Sequence, residues 1–401
     1  MAATNQPPSP TDLSLVDKLE ALETPAFVYE QSALLENVKS ITKIARERSC
    51  KVLYTPKANA IHAVLSLIGN YVDGFAASSV FEARLSREVI DQNGSVHLTS
   101  PGFRAGDVSE ITSLCDYVSF NSLNQWQTYG LRFRTQVKCG LRVNPGMSLV
   151  RDIRYDPCCS NSKLGIPIED LKDACRQKPN LAKEISGLHF HTNSESSSFS
   201  GLLATVRHLV DFVGPLLEKM EWINLGGGYL FDDPDALGEF YECIDILRSD
   251  FELEVFVEPG TAMVRNACYL VASVVDVFAS SDKYVAVLDT TTSHWPEVFE
   301  FQFEPDVIGD EEDGRFEYIL AGSSCLAGDI FGKAYAFNQR MKIGSKVIFS
   351  DAGAYSLVKA NYFNGINLPS IYALTDEGDL LLQKRFVFAD FMRQCGAKIS
   401  D

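Results

Sequence analysis

The sequence is short of what a membrane-spanning, secreted or nucleic-acid-binding chain requires. No run approaches the roughly 18 consecutive apolar residues of a transmembrane helix. The longest mainly apolar stretch, residues 267–275, contains Ser273 and ends at Asp276, so no membrane partner is expected. Positive charge is scarce: 36 Lys and Arg stand against 53 Asp and Glu, a net charge of −17. A surface of that sign repels a phosphate backbone and draws in small cations, so nucleic acid is not an expected partner and a small cationic substrate is. Residues 1–12 hold Pro7, Pro8 and Pro10 and no Lys or Arg. They lack the basic start and apolar centre of a signal peptide, and we read them as a disordered lead, with the cytoplasm as the location. Low-complexity tracts and tandem repeats are also missing. Cysteine is present ten times, but in a long chain without a secretory signal the thiols are expected to stay reduced.

What is there begins with a core. The chain is 46% apolar and 22% charged, enough for a sizeable buried interior, and 401 residues suit two or three domains or one large barrel with a companion. Short apolar segments recur at 52–54, 74–77, 96–98, 117–120, 140–143, 187–190, 222–225 and 255–257, each followed by a helical pattern. Between the seventh and the segment before it, Leu202, Leu203, Val206, Leu209, Val210 and Val213 fall at helical spacing. Eight strand–helix units in series predict a closed parallel (β/α)8 barrel of the TIM type, with an open doubly wound sheet as the competing layout. After Glu258 the texture changes to strand-like segments separated by Gly, Pro and Asp. The predicted organisation is therefore a lead over 1–12, a segment over 13–35 that joins a β domain, the barrel over 36–264, and a mostly antiparallel β-barrel or sandwich domain over 265–401.

A barrel predicts chemistry just after its strands. Lys57 stands there in Tyr54-Thr55-Pro56-Lys57-Ala58-Asn59. A lysine at a partly desolvated strand end can shed its proton and form a Schiff base with a carbonyl. Gly226-Gly227-Gly228 follows the seventh segment, where glycines let N–H groups converge on a phosphate, although a glycine run also makes a plain tight turn. Glu258-Pro259-Gly260 ends the eighth; its carboxylate could favour the protonated form of a heteroaromatic nitrogen. His191 ends the sixth and could stack on a flat ring. His189 and His191 share a strand face, and with Glu195 they raise the question of a metal, but no third ligand has a convincing spacing, so none is expected. A Schiff-base lysine, a phosphate cradle and a partner for a pyridine nitrogen together suit one cofactor, pyridoxal 5'-phosphate.

On these residues the chain resembles the fold-type III, alanine-racemase-like PLP-dependent decarboxylases, the group that contains the ornithine, arginine and diaminopimelate enzymes. The resemblance spans roughly residues 25–374. Its later strings are His294-Trp295-Pro296-Glu297, Gly322-Ser323-Ser324-Cys325-Leu326-Ala327-Gly328-Asp329, Asp351-Ala352-Gly353-Ala354-Tyr355 and Asn361-Tyr362-Phe363-Asn364-Gly365. The first two of these are similar to the branch that acts on carboxynorspermidine and carboxyspermidine. The resemblance implies that Lys57 binds the cofactor covalently, His191 stacks on its ring, Glu258 pairs with the ring nitrogen and Arg142 supports that constellation. It implies that Ser194, Gly226, Gly227, Gly228 and Tyr355 hold the phosphate. Cys325 would protonate the substrate carbon after carbon dioxide leaves. Asp329 would bind a substrate amine, with His294, Glu297 and Glu195 as further substrate residues. In this family Cys325 and Asp329 reach the partner's site, so a homodimer with shared active sites is implied. Thr261, Ser194 and Ala354 depart from the commoner arginine, cysteine and histidine at their positions. The other readings are decarboxylation of another amino acid, such as diaminopimelate, ornithine or a siderophore precursor, and a non-catalytic PLP-binding homologue.

Overall fold

A segment that is apolar on both faces must be covered on both, which is the situation of a strand inside a parallel barrel. The eight predicted segments have that composition. In the computed structural model, which describes residues 10–90 and 94–398, all eight are strands: Lys51–Tyr54, Gly74–Ala77, Ser95–Ser100, Tyr117–Phe120, Lys138–Asn144, Gly187–His189, Trp222–Asn224 and Glu254–Val257. Each runs parallel to the next. The eighth pairs back to the first through Phe256↔Lys51 and Val257↔Val52, and the ring closes. The barrel layout therefore holds over the open sheet, and it occupies the unit Leu35–Met263.

Turn chemistry sets where strand gives way to helix. Ser79 and Ser122 precede the helices Val80–Val89 and Leu123–Phe133, and their hydroxyls accept the N–H groups of Glu82 (3.2 Å) and Gln125 (3.0 Å). The Glu82 and Gln125 side chains reach back to the N–H groups of Ser78 and Asn121. Such reciprocal caps are worth about 1 kcal/mol each. Inside the barrel Trp222 packs with Leu53, Ala76, Tyr117 and Phe256. A Cβ on Gly140 or Gly187 would come within 2.5 or 2.1 Å of the indole, so only glycine lets the neighbouring strands close over it. Each large side chain buried here contributes on the order of 1.5–3 kcal/mol, which makes a rigid base for the chemistry above it.

The second unit comprises the residues up to Leu34 and those from Val264 onward. Its sheet runs in the order Ile330–Phe337, Phe316–Ala321, Lys283–Leu288, Cys268–Ser280, Ala26–Glu30, Ser370–Leu374, Leu380–Lys384, with Lys346–Phe349 also on Cys268–Ser280. The pairings are mainly antiparallel; Ala26–Glu30 with Ser370–Leu374 and Lys283–Leu288 with Phe316–Ala321 are the parallel ones among the described residues. Two strands escaped the sequence reading. Ile330–Phe337 contains Gly332 at a register shift, which breaks the alternation a strand is recognised by. Leu380–Lys384 is an edge strand in which Leu380 packs on the core while Leu381 and Leu382 are both exposed, so it shows no inward–outward alternation to read. The lead over 1–12 is corrected at its end, because the helix Pro10–Glu20 starts at Pro10. Proline suits a first helical turn, where its missing N–H loses no partner, and further along Leu15, Val16 and Leu19 pack on a cluster with Ala26, Val28 and Val271. Residues 1–9 lie outside the described residues. No helix among those described is long and apolar enough to cross a membrane.

Candidate active site

The first barrel strand runs into Thr55-Pro56-Lys57-Ala58, a turn closed by the Ala58 N–H donating to the Thr55 carbonyl (3.1 Å). Proline sits at its second position, where a fixed φ favours the turn. The Tyr54 hydroxyl donates to the Asn59 carbonyl (3.1 Å), and the Asn59 side chain accepts the Ile61 N–H (3.0 Å). Lys57 is thus pinned from both sides. Burial pushes its amine below the ordinary lysine value; Glu258 pulls it back up, Arg142 pushes it down and Glu82 pulls it up. Burial likewise lowers Arg142, with Glu258 raising it. Glu82 is a site residue that the sequence reading missed. Its side chain caps the helix after the second strand, at the Ser78 N–H, and its charge also acts on Lys57. Burial raises its carboxyl, against the Ser78 backbone and Lys57.

Glu258 is buried and accepts a hydrogen bond at Oε1 from Asn224 Nδ2 (2.7 Å). Among the described residues no donor reaches its other oxygen, Oε2. Burial pushes this carboxyl up, while Lys57, Asn224 and Arg142 lower it. His191 accepts the Gly227 N–H at Nδ1 (3.0 Å), so in the neutral ring the proton sits on Nε2. Burial, Lys57 and Arg142 hold this imidazole well below its usual range. The barrel rim therefore brings Lys57, Arg142, His191 and Glu258 into one electrostatic cluster.

The glycine run has a tighter job than the sequence suggested. Gly226 and Gly228 have φ of +69° and +92°, and a Cβ on Gly227 would lie 2.1 Å from the Glu258 carbonyl oxygen. The Gly226 N–H goes to Asn224 Oδ1 (2.9 Å) and that of Gly227 to His191. Of the three N–H groups read as a phosphate cradle, only that of Gly228 is left without an acceptor among the described residues. Ser194 and Glu195 lie on an exposed loop after His191; Ser194 donates its N–H to Asn193 Oδ1 (2.9 Å), and Glu195 has φ +49°. Among the described residues no group of three or more His, Cys, Asp and Glu is placed to hold a metal.

The remaining sequence-derived site residues belong to the sheet unit. Cys325 is exposed on the loop that ends at Asp329, and its N–H donates to Asn364 Oδ1 (2.8 Å). Asp329 itself is only 3% exposed. Its carboxylate accepts the Thr292 N–H (2.7 Å), the Thr292 hydroxyl (2.9 Å) and the Ser324 N–H (3.0 Å). A Cβ on Gly322 would sit 2.3 Å from both of its oxygens. Three internal donors occupy most of what a carboxylate can accept, so Asp329 ties the Cys325 loop to the segment around Thr292. The residue the loop presents beside Cys325 is Leu326, 40% exposed. His294 is buried, with Nδ1 on the Thr290 hydroxyl (2.9 Å), and burial pushes it down to about 4. Glu297, in the first turn of the helix Pro296–Phe301, pairs with Lys359 (3.5 Å). Tyr355 has φ +53°.

The barrel rim fits pyridoxal phosphate. It offers an amine moved toward its neutral form, a flat neutral imidazole and, among the described residues, a buried carboxylate with one oxygen that no donor takes and an N–H at Gly228 without an acceptor. Comparison with known proteins agrees. The family model described as "Pyridoxal-dependent decarboxylase, C-terminal sheet domain" matches residues 26–353. The chain is 32% identical to the carboxynorspermidine/carboxyspermidine decarboxylase of Campylobacter jejuni, over 93% of this chain and 98% of that one. It is 33% identical to the carboxyaminopropylagmatine decarboxylase of Synechocystis, over 94% and 97%. The crystal structure of the C. jejuni carboxynorspermidine decarboxylase complexed with norspermidine superposes with a TM-score of 0.84 at 29% identity, covering 93% of this chain and all of that one. This chain belongs to the pyridoxal-phosphate-dependent decarboxylases.

Proposed function

We propose that the substrate is a carboxylated polyamine, carboxynorspermidine or carboxyspermidine, converted to norspermidine or spermidine and carbon dioxide. The observation that carries this reading is that two relatives named for both compounds, at 32% and 31% identity, and a superposing structure complexed with norspermidine agree; the 33% identity to the carboxyaminopropylagmatine enzyme supports the same class of carboxylated polyamine. Five diaminopimelate decarboxylases that match share 20–26%, which weakens the reading as an amino-acid decarboxylase of that type.

When bound, pyridoxal phosphate supplies a ring that accepts the electron pair left by a departing carboxylate. Lys57 supplies an amine at Nζ, moved by burial toward its neutral form, that can hold the cofactor's aldehyde and yield it to the substrate amine. Glu258 Oε2 would accept a hydrogen bond from the protonated ring nitrogen and so keep it protonated, with Arg142 and Lys57 balancing the carboxylate's charge. His191, neutral and fixed by Gly227, offers a flat face. The Gly228 N–H, Ser194 and Tyr355 bind the phosphate. Cys325 Sγ delivers a proton to the substrate carbon, a general-acid step of typical worth about 10²–10⁴ in rate. Asp329 serves that step by holding the Cys325 loop, and Glu297, Glu195 and His294 meet the substrate's ammonium groups. The net charge of −17 adds long-range attraction for a polycation.

The exposed Phe299, Leu326 and Phe363, at 44%, 40% and 45%, border the same loop. We assign their cover to a second copy of the chain, since an apolar rim of this kind marks an interaction surface. The cytoplasm suits a chain whose ten cysteines are all unpaired. The test is carbon dioxide release from a panel containing carboxynorspermidine, carboxyspermidine, carboxyaminopropylagmatine, diaminopimelate and ornithine. One of the first two should lead diaminopimelate and ornithine by at least about tenfold in kcat/KM. A lead for diaminopimelate or ornithine would contradict the reading.

A further inference from the structure

One buried nitrogen beside Glu258 has no hydrogen-bond partner among the described residues: Nε2 of His189. His189 is 2% exposed and lies in register with Arg142 on the fifth strand and Asn224 on the seventh. Its Nδ1 is 3.2 Å from the hydroxyl of Thr99, which crosses the barrel from the third strand, and its Nε2 is 3.8 Å from Glu258 Oε1. That is the oxygen Asn224 already contacts. Two adjacent strands thus aim nitrogen atoms at one carboxylate oxygen and leave the other oxygen to the cofactor.

The tautomer follows from the neighbours. Burial first, then the charges or potential charges of Arg142, His191, Lys57 and His97, push this imidazole well below its usual range, so in the neutral ring one nitrogen carries one proton. A bare Nε2 facing a carboxylate oxygen would oppose two lone pairs in a low-dielectric interior. A proton on Nε2, with the Thr99 hydroxyl donating to Nδ1, satisfies both contacts. Closing 3.8 Å to the usual distance of about 2.9 Å takes less than about 1 Å of side-chain movement.

We propose that His189 is a positioning residue for Glu258, presenting Nε2–H to Oε1 as a second donor beside Asn224 and keeping this carboxylate the acceptor that a protonated ring nitrogen requires. The inference rests on the reading of Glu258 as the partner of that nitrogen. A buried carboxylate tends to retain its own proton, and a carboxylic acid cannot accept from a pyridinium. Lys57 from the turn after the first strand, Arg142 from the fifth strand and Asn224 from the seventh oppose that tendency; His189, from the sixth, completes the set.

The test uses the full-length protein without added cofactor, so it is independent of turnover. The infrared carboxyl band of Glu258, assigned by its loss in Glu258→Gln, is followed against pH. His189→Leu should raise its midpoint by about one pH unit, a tenfold gain in proton affinity. His189→Gln, which can place an N–H near the same point, should return it to the wild-type value. An unchanged midpoint in His189→Leu, or an equal rise in both variants, overturns the proposal. Should His189→Leu not fold, Thr99→Val is read in its place, and a raised midpoint supports the proposal while an unchanged one overturns it. Failure of the cofactor reading would show separately, as wild-type protein that takes up no pyridoxal phosphate at Lys57.

Discussion

At the barrel rim Glu258 is buried and Lys57, Arg142 and His191 are half-buried, and desolvation moves each away from its ordinary pKa. On the loop of the sheet unit the arrangement is reversed: Cys325 stands exposed, while the Asp329 carboxylate beneath it holds three internal hydrogen bonds. The first region keeps polar groups incompletely compensated, which leaves amine, carboxylate and imidazole with interactions still to make. The second satisfies its buried group and so fixes the shape from which one thiol projects. Reactivity comes from burial in one and from presentation in the other.

The comparison can be broken in steps. Lys57→Ala should have the largest effect, a loss of at least about 10⁴-fold in kcat, measured as carbon dioxide release. Cys325→Ala should keep the cofactor yet lose about 10²–10⁴-fold in normal product. Mixing these two variants should restore part of the activity if the sites are shared between two copies, and no recovery would count against sharing. A third contrast sets one glycine from each region side by side. Gly227→Ala would drive a Cβ against the Glu258 backbone carbonyl and should cost about 1–3 kcal/mol in denaturant unfolding. Gly328→Ala meets mainly the end of the Phe299 side chain, which can turn aside, and should cost far less. Asp329→Asn replaces an acceptor by an amide whose N–H₂ meets other donors; it should lower kcat while leaving KM nearly unchanged. A rise in KM alone would return Asp329 to substrate binding.

The smallest effect concerns pH. Burial lowers the Lys57 amine, so uptake of pyridoxal phosphate should begin at lower pH than for an exposed lysine. Glu258 raises this amine and Arg142 lowers it. Glu258→Gln should therefore move the uptake midpoint further down, and Arg142→Gln should move it up, each by about one unit or less, as followed by absorbance.

Much of the barrel was legible because its strands are covered on both faces and read as unbroken apolar runs between polar ends. The segment 117–120 coincides with Tyr117–Phe120, and 140–143 lies inside Lys138–Asn144. Lys57, His191 and Glu258 were legible because each follows a strand. The strand Ile330–Phe337 was not, since its pattern is set by the partner across Gly332. Glu82 carried no signal, and the contacts of His189 and Asp329 could not be read, because they are made to side chains far away in sequence: His189 meets Thr99 across the barrel, and Asp329 meets Thr292 from another loop. The glycine run was recognised, but which of its N–H groups stay available depends on Asn224 and His191.

The most direct check of the account is chemical trapping. The full-length protein loaded with pyridoxal phosphate is reduced with borohydride, digested, and its peptides are weighed by mass spectrometry. The account predicts the phosphopyridoxyl mass on the peptide that contains Lys57 and its absence from Lys57→Ala. The same mass on a different lysine, with Lys57 unmodified, would contradict it.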